Sequence, residues 1–303
     1  MPGKARNALL LAALVLCGLT PAASAQRKDK QPAASKVLRD IEYAKVGGLS
    51  LKLDLYLPPK PKGTRLLVWI HGGGWRQGSK NRCPLARFTE HAYSVASVQY
   101  RLSDKAVFPA QIHDCKGAIR WLRANAGKYG YDAERIGVAG ISAGGHLVAL
   151  LGTGGDVKQL EGKVGGNPDQ SSRVQAVLDM CGPSDFLLML EKAPLALNNP
   201  RGAVGQLVGG PVGKKKDLAR LASPAHHVTQ DDAPLLIFHG ENDRLVNPRQ
   251  SRHLADLYKK TGLPVALEVI PGGGHVPRQF FDAKRMKIAG AFFARHLKIE
   301  TAE

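Results

Sequence analysis

Apolar positions in this chain follow two periods that alternate along its length. Leu51, Leu53, Leu55 and Leu57 recur at every second position, with Lys52, Asp54 and Tyr56 on the opposite face, and this predicts a strand. Residues 37–46 form a companion strand across a Gly47-Gly48 turn, and Pro58-Pro59 ends the pair. Arg65–Ile70 (RLLVWI) is apolar without alternation, as expected of a strand buried on both faces of a mostly parallel sheet. Residues 94–100, 135–139, 174–180, 235–239 and 265–270 are further strand-length runs. Helical patterns lie between them at 111–126, where Ile112, Cys115, Ile119 and Leu122 share one face, and at 145–151, 248–260 and 279–297. The alternation predicts one α/β domain over residues 37–300. Its sheet is open, eight-stranded and mostly parallel, antiparallel at its start, with helices on both faces. Regularity fails over residues 182–223, rich in Gly, Pro, Asn and Lys, with one helix expected around 185–190. Such an insertion reads as a cap over the strand ends.

The start of the chain has a different character. Lys4 and Arg6 precede an apolar stretch at 8–19, and Ala23-Ser24-Ala25 follows, the pattern of a cleaved export signal over residues 1–25. The apolar stretch is too short for a stable membrane span. Export to the periplasm or the exterior without a membrane anchor is the expectation, with residues 26–36 as a polar, flexible tether. Three cysteines remain beyond it, Cys83, Cys115 and Cys181, which allow one disulfide and leave at least one thiol free. None sits in a metal-like cluster, so neither a metal nor another cofactor is expected.

The charge is strongly basic: 43 Lys and Arg against 25 Asp and Glu give a net +18. It suits either a generally basic surface or attraction to an acidic polymer such as a uronate-bearing polysaccharide. The cations are scattered apart from Lys214-Lys215-Lys216, which favours the first, and no nucleic-acid motif accompanies them.

Candidate chemistry centres on Gly140-Ile141-Ser142-Ala143-Gly144, between the strand at 135–139 and the helix at 145–151. A Gly-x-Ser-x-Gly in that setting is a nucleophile elbow, its serine held on a strained turn at a helix N-terminus. A serine hydroxyl needs a base, and His275, after the last strand in a glycine-rich loop, is the best placed of ten histidines. His146, four residues past Ser142, is a candidate lining residue. The base needs a carboxylate to fix its tautomer. Asp243 follows the strand at 235–239, with Glu241 the near rival and Asp282 a distant one. His71-Gly72-Gly73-Gly74-Trp75 follows another strand, so Gly73 and Gly74 join the Ala143 N–H as candidate oxyanion donors. In the same loop His71 is a candidate lining residue, and Trp75 either walls the acyl pocket or packs beneath the loop.

With these residues in place, the chain resembles α/β-hydrolase esterases of the hormone-sensitive-lipase-like group, and within them bacterial secreted esterases related to feruloyl and acetyl-xylan esterases, the BD-FAE type. The resemblance rests on His71–Trp75, Tyr100-Arg101-Leu102-Ser103, Phe108-Pro109-Ala110-Gln111, Gly140–Leu147, Gly182-Pro183-Ser184-Asp185 and Gly274-His275. It implies an α/β-hydrolase fold, Ser142 as nucleophile with Asp243 and His275 as partners, and Gly73, Gly74 and Ala143 as oxyanion donors. The expected activity is hydrolysis of short-acyl or hydroxycinnamoyl esters, on a small molecule or a carbohydrate; the polar, basic cap points to carbohydrate. A prolyl-oligopeptidase-type peptidase and a non-catalytic binder on the same scaffold are the alternatives.

Overall fold

A computed structural model of the chain describes residues 36–298. The expected export signal at 1–25 lies outside them, as does the tether at 26–36 apart from Lys36, which opens the first strand. Eight strands form one sheet: β1 (Lys36–Val46), β2 (Leu49–Leu57), β3 (Arg65–Ile70), β4 (Tyr93–Val98), β5 (Asp132–Ile141), β6 (Ala176–Met180), β7 (Leu235–Gly240) and β8 (Val265–Ile270). Their order is β1-β2-β4-β3-β5-β6-β7-β8. β2 runs antiparallel to β1 and β4, and every pair from β4 to β8 is parallel. The sheet is therefore antiparallel only at its start, as expected.

Both faces of the sheet are covered. On β3, Leu66, Val68 and Ile70 point into one core and Leu67 and Trp69 into the other, which explains why Arg65–Ile70 shows no alternation. Helices α1 (Ala110–Ala124), α2 (Ala143–Thr153) and α3 (Arg249–Lys260) bury Ile112, Leu147 and Leu254 against the first face. Helix α4 (Ala283–His296) and the 3₁₀ segment Pro84–His91 bury Phe293 and Phe88 against the second. The helix expected over 279–297 is two elements. A 3₁₀ turn at Arg278–Phe281 gives way to α4, because Asp282 caps α4 by accepting from Arg285 N at 2.8 Å.

Two features go beyond the local pattern. The face of β2 opposite its leucines is itself covered at Asp54 and Tyr56. Asp54 is fully buried, accepting from Lys80 Nζ at 2.7 Å, Arg39 Nη1 at 2.8 Å and Asp40 N at 2.9 Å. The segment at 182–223 is also more regular than expected, with short helices at Phe186–Lys192, Pro194–Leu197, Ala203–Val208 and Lys216–Leu221. Elements of four to seven residues span too few turns for a 3.6-residue period to be read. Their starts are set locally instead: Asp185 accepts from Leu187 N and Leu188 N, and Pro194 opens the second helix. Among the described residues no helix is long and apolar enough to cross a membrane. Cys83, Cys115 and Cys181 are all free thiols, the last two buried.

Candidate active site

Strand order reverses between β3 and β5, parallel neighbours that lead on to β4 and β6 on opposite sides. Loops leaving the strand ends diverge at such a switch point and leave a crevice. β3 delivers the His71–Trp75 loop there and β5 delivers Ser142; Asp243 and His275 follow β7 and β8.

Ser142 stands between β5 and α2 with φ 55° and ψ −118°. So sharp a turn brings backbone against backbone. A Cβ on Gly144 would lie well inside van der Waals contact with Ile70 O, and one on Gly140 would meet Gly144 O. Trp75 (φ 57°), Cys181 (φ 51°) and Val276 (φ 55°) also have left-handed backbones, although none is glycine. Strained non-glycine backbone thus gathers around one crevice, the pattern expected where the surrounding fold enforces a functional geometry.

The structure brings Ser142, His275 and Asp243 into one hydrogen-bonded chain. Ser142 Oγ lies 2.9 Å from His275 Nε2, and His275 Nδ1 lies 2.7 Å from Asp243 Oδ2. With Nδ1–H donating to the carboxylate, Nε2 is left to accept the serine proton. Asp243 is buried, and its Oδ1 accepts from Leu245 N and Val246 N, both at 2.9 Å. Burial pushes its pKa up, but hydrogen bonds from His239, His275 and Val246 N outweigh that and hold the carboxyl below the usual range. Neither rival takes this place: Glu241 accepts from Gly272 N at the surface, and Asp282 caps α4.

A further histidine, His239 near the end of β7, also reaches the site. It is fully buried, with Nε2 2.8 Å from Val246 O and 3.2 Å from Asp243 Oδ2, while Ser251 Oγ lies 2.6 Å from its Nδ1. A carbonyl beside Nε2 makes that nitrogen the donor, so Nδ1 accepts from Ser251. His239 therefore presents an N–H to the same carboxylate oxygen that holds His275. The available signal was a histidine closing an apolar run (LLIFH) four residues before the aspartate.

The N–H groups of Gly73, Gly74 and Ala143 have no protein acceptor among the described residues. Ala143 N opens α2, where the helix dipole adds positive potential. Gly73 has φ 111°, and a Cβ there would collide with Gln77 O, so the loop requires glycine.

The three candidate lining residues separate. His71 and Trp75 border the cleft, both nearly buried. His71 stacks on Tyr100 at 4.4 Å and donates from Nδ1 to Gly72 O, and burial lowers its pKa to about 4. Trp75 packs beneath the loop, edge-on to Phe186. His146 does not line the cleft. It is fully buried, accepts from Trp75 Nε1 at 3.2 Å and donates from Nε2 to Ala222 O at 2.6 Å, and burial lowers its pKa to about 4. The neutral ring ties the glycine loop to the far end of the cap. The helical register of α2 turns it under the cap rather than toward Ser142.

Cys181, Asp243 and His275 have ligand atoms within 4.8 Å of one another. Burial raises the Cys181 thiol well above its usual pKa, which keeps it neutral, and the other two are bonded to each other.

Beneath the elbow, Asp179 on β6 is 1% exposed and accepts from Gly182 N at 2.8 Å. Burial raises its pKa from 3.8 to about 6, against the Gly182 N–H and nearby His239. A carboxyl raised in the folded state binds more protons there than in the unfolded chain. Its stabilising contribution is thus full below about pH 4 and is lost as pH rises through about 6. At ~1.4 kcal/mol per unit, this span amounts to about 3 kcal/mol. Asp179→Asn keeps an acceptor for Gly182 N and removes the titration. The melting temperature of the variant relative to wild type should therefore rise between pH 4 and pH 8 in parallel thermal scans; a difference independent of pH would contradict this.

The cleft around Ser142 encloses about 1050 Å³. Its cap side is apolar, formed by Pro183, Met189, Ala203 and Val204. The polar, basic composition of the cap is thus a property of its outer surface and turns.

Such a sheet, with a serine elbow after β5, an aspartate after β7 and a histidine after β8, defines an α/β-hydrolase. Residues 53–258 match the family model described as BD-FAE, and the chain belongs to that family. It is 29% identical over 261 residues to esterase LipC of Mycobacterium tuberculosis, covering 84% of this chain and 62% of LipC. A truncated carbohydrate esterase from gut microbiota superposes with a TM-score of 0.78 at 32% identity, covering 88% of this chain and 98% of that one. A propionate-bound thermophilic esterase of Thermogutta terrifontis does so with a TM-score of 0.68 at 25% identity, covering 88% and 95%. The chain thus spans about three fifths of the length of LipC.

Proposed function

We propose that this chain is an exported serine carboxylesterase that cleaves short-acyl or hydroxycinnamoyl esters of carbohydrate through an acyl-enzyme. One observation carries the reading: the continuous hydrogen-bonded chain from Ser142 Oγ through His275 to an ionised Asp243, beside three unpaired backbone N–H groups. Ser142 Oγ attacks the ester carbonyl as its proton passes to His275 Nε2, and the imidazolium is held by Asp243. Charge developing on the carbonyl oxygen is met by the N–H groups of Gly73, Gly74 and Ala143. Collapse breaks the bond to the alcohol oxygen, which leaves with the Nε2 proton. Water, deprotonated by the same nitrogen, then releases the acid and restores Ser142.

The carbohydrate reading draws support from the gut carbohydrate esterase, and the short-acyl reading from the propionate-bound one. The apolar cap wall at Met189, Ala203 and Val204 suits an acyl chain. Export draws support from the N-terminal pattern alone. A fluorophosphonate probe should label one residue, Ser142, in peptide mapping, and an acyl-length series of 4-nitrophenyl esters should show turnover that declines with chain length. A protein that neither labels nor turns over any ester would refute the proposal.

A further inference from the structure

The cleft has one-sided charge. Among its lining residues Arg76 and Arg82 carry permanent charge, and there is no aspartate or glutamate. Both arginines are exposed. Arg76 makes a single hydrogen bond, from Nη1 to Arg201 O at 3.4 Å, and Arg82 has no hydrogen bond or ion pair among the described residues. Lys80, which lies between them in sequence, shows the contrast: it is buried and held by Asp40 at 2.9 Å and Asp54 at 2.7 Å. One cation of the segment is thus neutralised within the fold, and the two that border the cleft are left open.

Their position relates them to the reacting centre. Arg76 directly follows the glycine loop, and its Nε lies 3.9 Å from where a Cβ on Gly74 would sit. Gln77, Ser79 and Asn81 line the same stretch, so one wall of the cleft is a polar strip ending in a guanidinium at each end. The cap wall is apolar, and so is the rim at Leu245 and Val276. The same cleft thus offers one serine both an apolar lining that suits an acyl chain and, adjoining it where Arg76 meets the cap at Arg201 O, a polar, cationic strip that suits a polar, anionic alcohol half.

We infer that the strip from Arg76 to Arg82 binds a carboxylate on the sugar that bears the ester, so that the preferred substrates are O-acylated uronosyl oligosaccharides. The inference rests on the ester-hydrolase reading and names its substrate class. A guanidinium offers paired N–H donors that match the two oxygens of a carboxylate, and serves poorly for a neutral hydroxyl. A concave site lined by one sign of charge also concentrates anions, an attraction that salt screens. The scattered cations of the sequence suggested a surface without a particular partner; around the cleft they are selective.

The test compares release of acetate from O-acetylated oligogalacturonides with release from the same oligosaccharides after methyl esterification of their carboxyls. The wild-type protein should show a kcat/KM about tenfold higher on the acidic form, equivalent to ~1.4 kcal/mol. That preference should shrink as salt is raised, and the ratio should fall toward one in Arg76→Gln/Arg82→Gln. Equal rates on the two forms would overturn the inference, as would a preference that survives both substitutions. So would a preference for 4-nitrophenyl hemisuccinate over 4-nitrophenyl butyrate lost in the same variant, which would place the carboxylate on the acyl half. Turnover of 4-nitrophenyl acetate without acidic preference strikes only this inference; no turnover of any ester strikes the hydrolase reading beneath it.

Discussion

Ser142→Ala is expected to lower kcat for 4-nitrophenyl acetate by about 10⁵- to 10⁶-fold, the scale at which loss of a triad serine leaves only binding and oxyanion stabilisation. The substitution deletes one atom, the Oγ that lies 2.9 Å from His275 Nε2. The elbow itself should survive. The strained backbone at φ 55° is imposed by close packing of Gly140 and Gly144 against neighbouring backbone, and alanine occupies that conformation at a cost similar to serine. Circular dichroism and the melting temperature should therefore match wild type while probe labelling disappears. Residual turnover within tenfold of wild type would mean that the nucleophile is elsewhere.

Asp243→Asn should cost about 10⁴-fold in kcat through the tautomer of His275. The two backbone donors, Leu245 N and Val246 N, both point at Oδ1. They force the asparagine to place its carbonyl there and its NH₂ where Oδ2 stood, facing His275 and His239. An NH₂ opposite Nδ1 requires that nitrogen to accept, which moves the imidazole proton to Nε2, where it can no longer take the proton of Ser142. The imidazolium of the transition state loses its counter-charge as well. A burst experiment with 4-nitrophenyl acetate should show acylation slowed to the same extent as steady-state turnover. Asp243→Asn with wild-type acylation would show that the carboxylate does not govern the base.

How much of this was legible beforehand follows the range over which each signal acts. Alternation in Leu51–Leu57, the continuous apolar Arg65–Ile70 and the face of Ile112, Cys115, Ile119 and Leu122 are local periods, and each predicted its element. Gly-x-Ser-x-Gly is local too, because the glycines answer to a turn only two residues away. Asp243 and His275 were legible because a parallel sheet brings the loops after its strands to one edge, whatever the side chains do.

By itself, then, the sequence determined the order of the main strands and helices outside the cap, the elbow, and which serine, aspartate and histidine meet. These follow from backbone periodicity and from the topology that periodicity compels. Tertiary structure alone decided that His239 shares the carboxylate of Asp243, that His146 ties Trp75 to Ala222 beneath the cap, and that Met189, Ala203 and Val204 turn an apolar face to Ser142. It also decided that Lys80 is neutralised in the interior while Arg76 and Arg82 stay open to the cleft. Each of these depends on a side chain's direction relative to residues distant in sequence or on another element, and no local period carries that information.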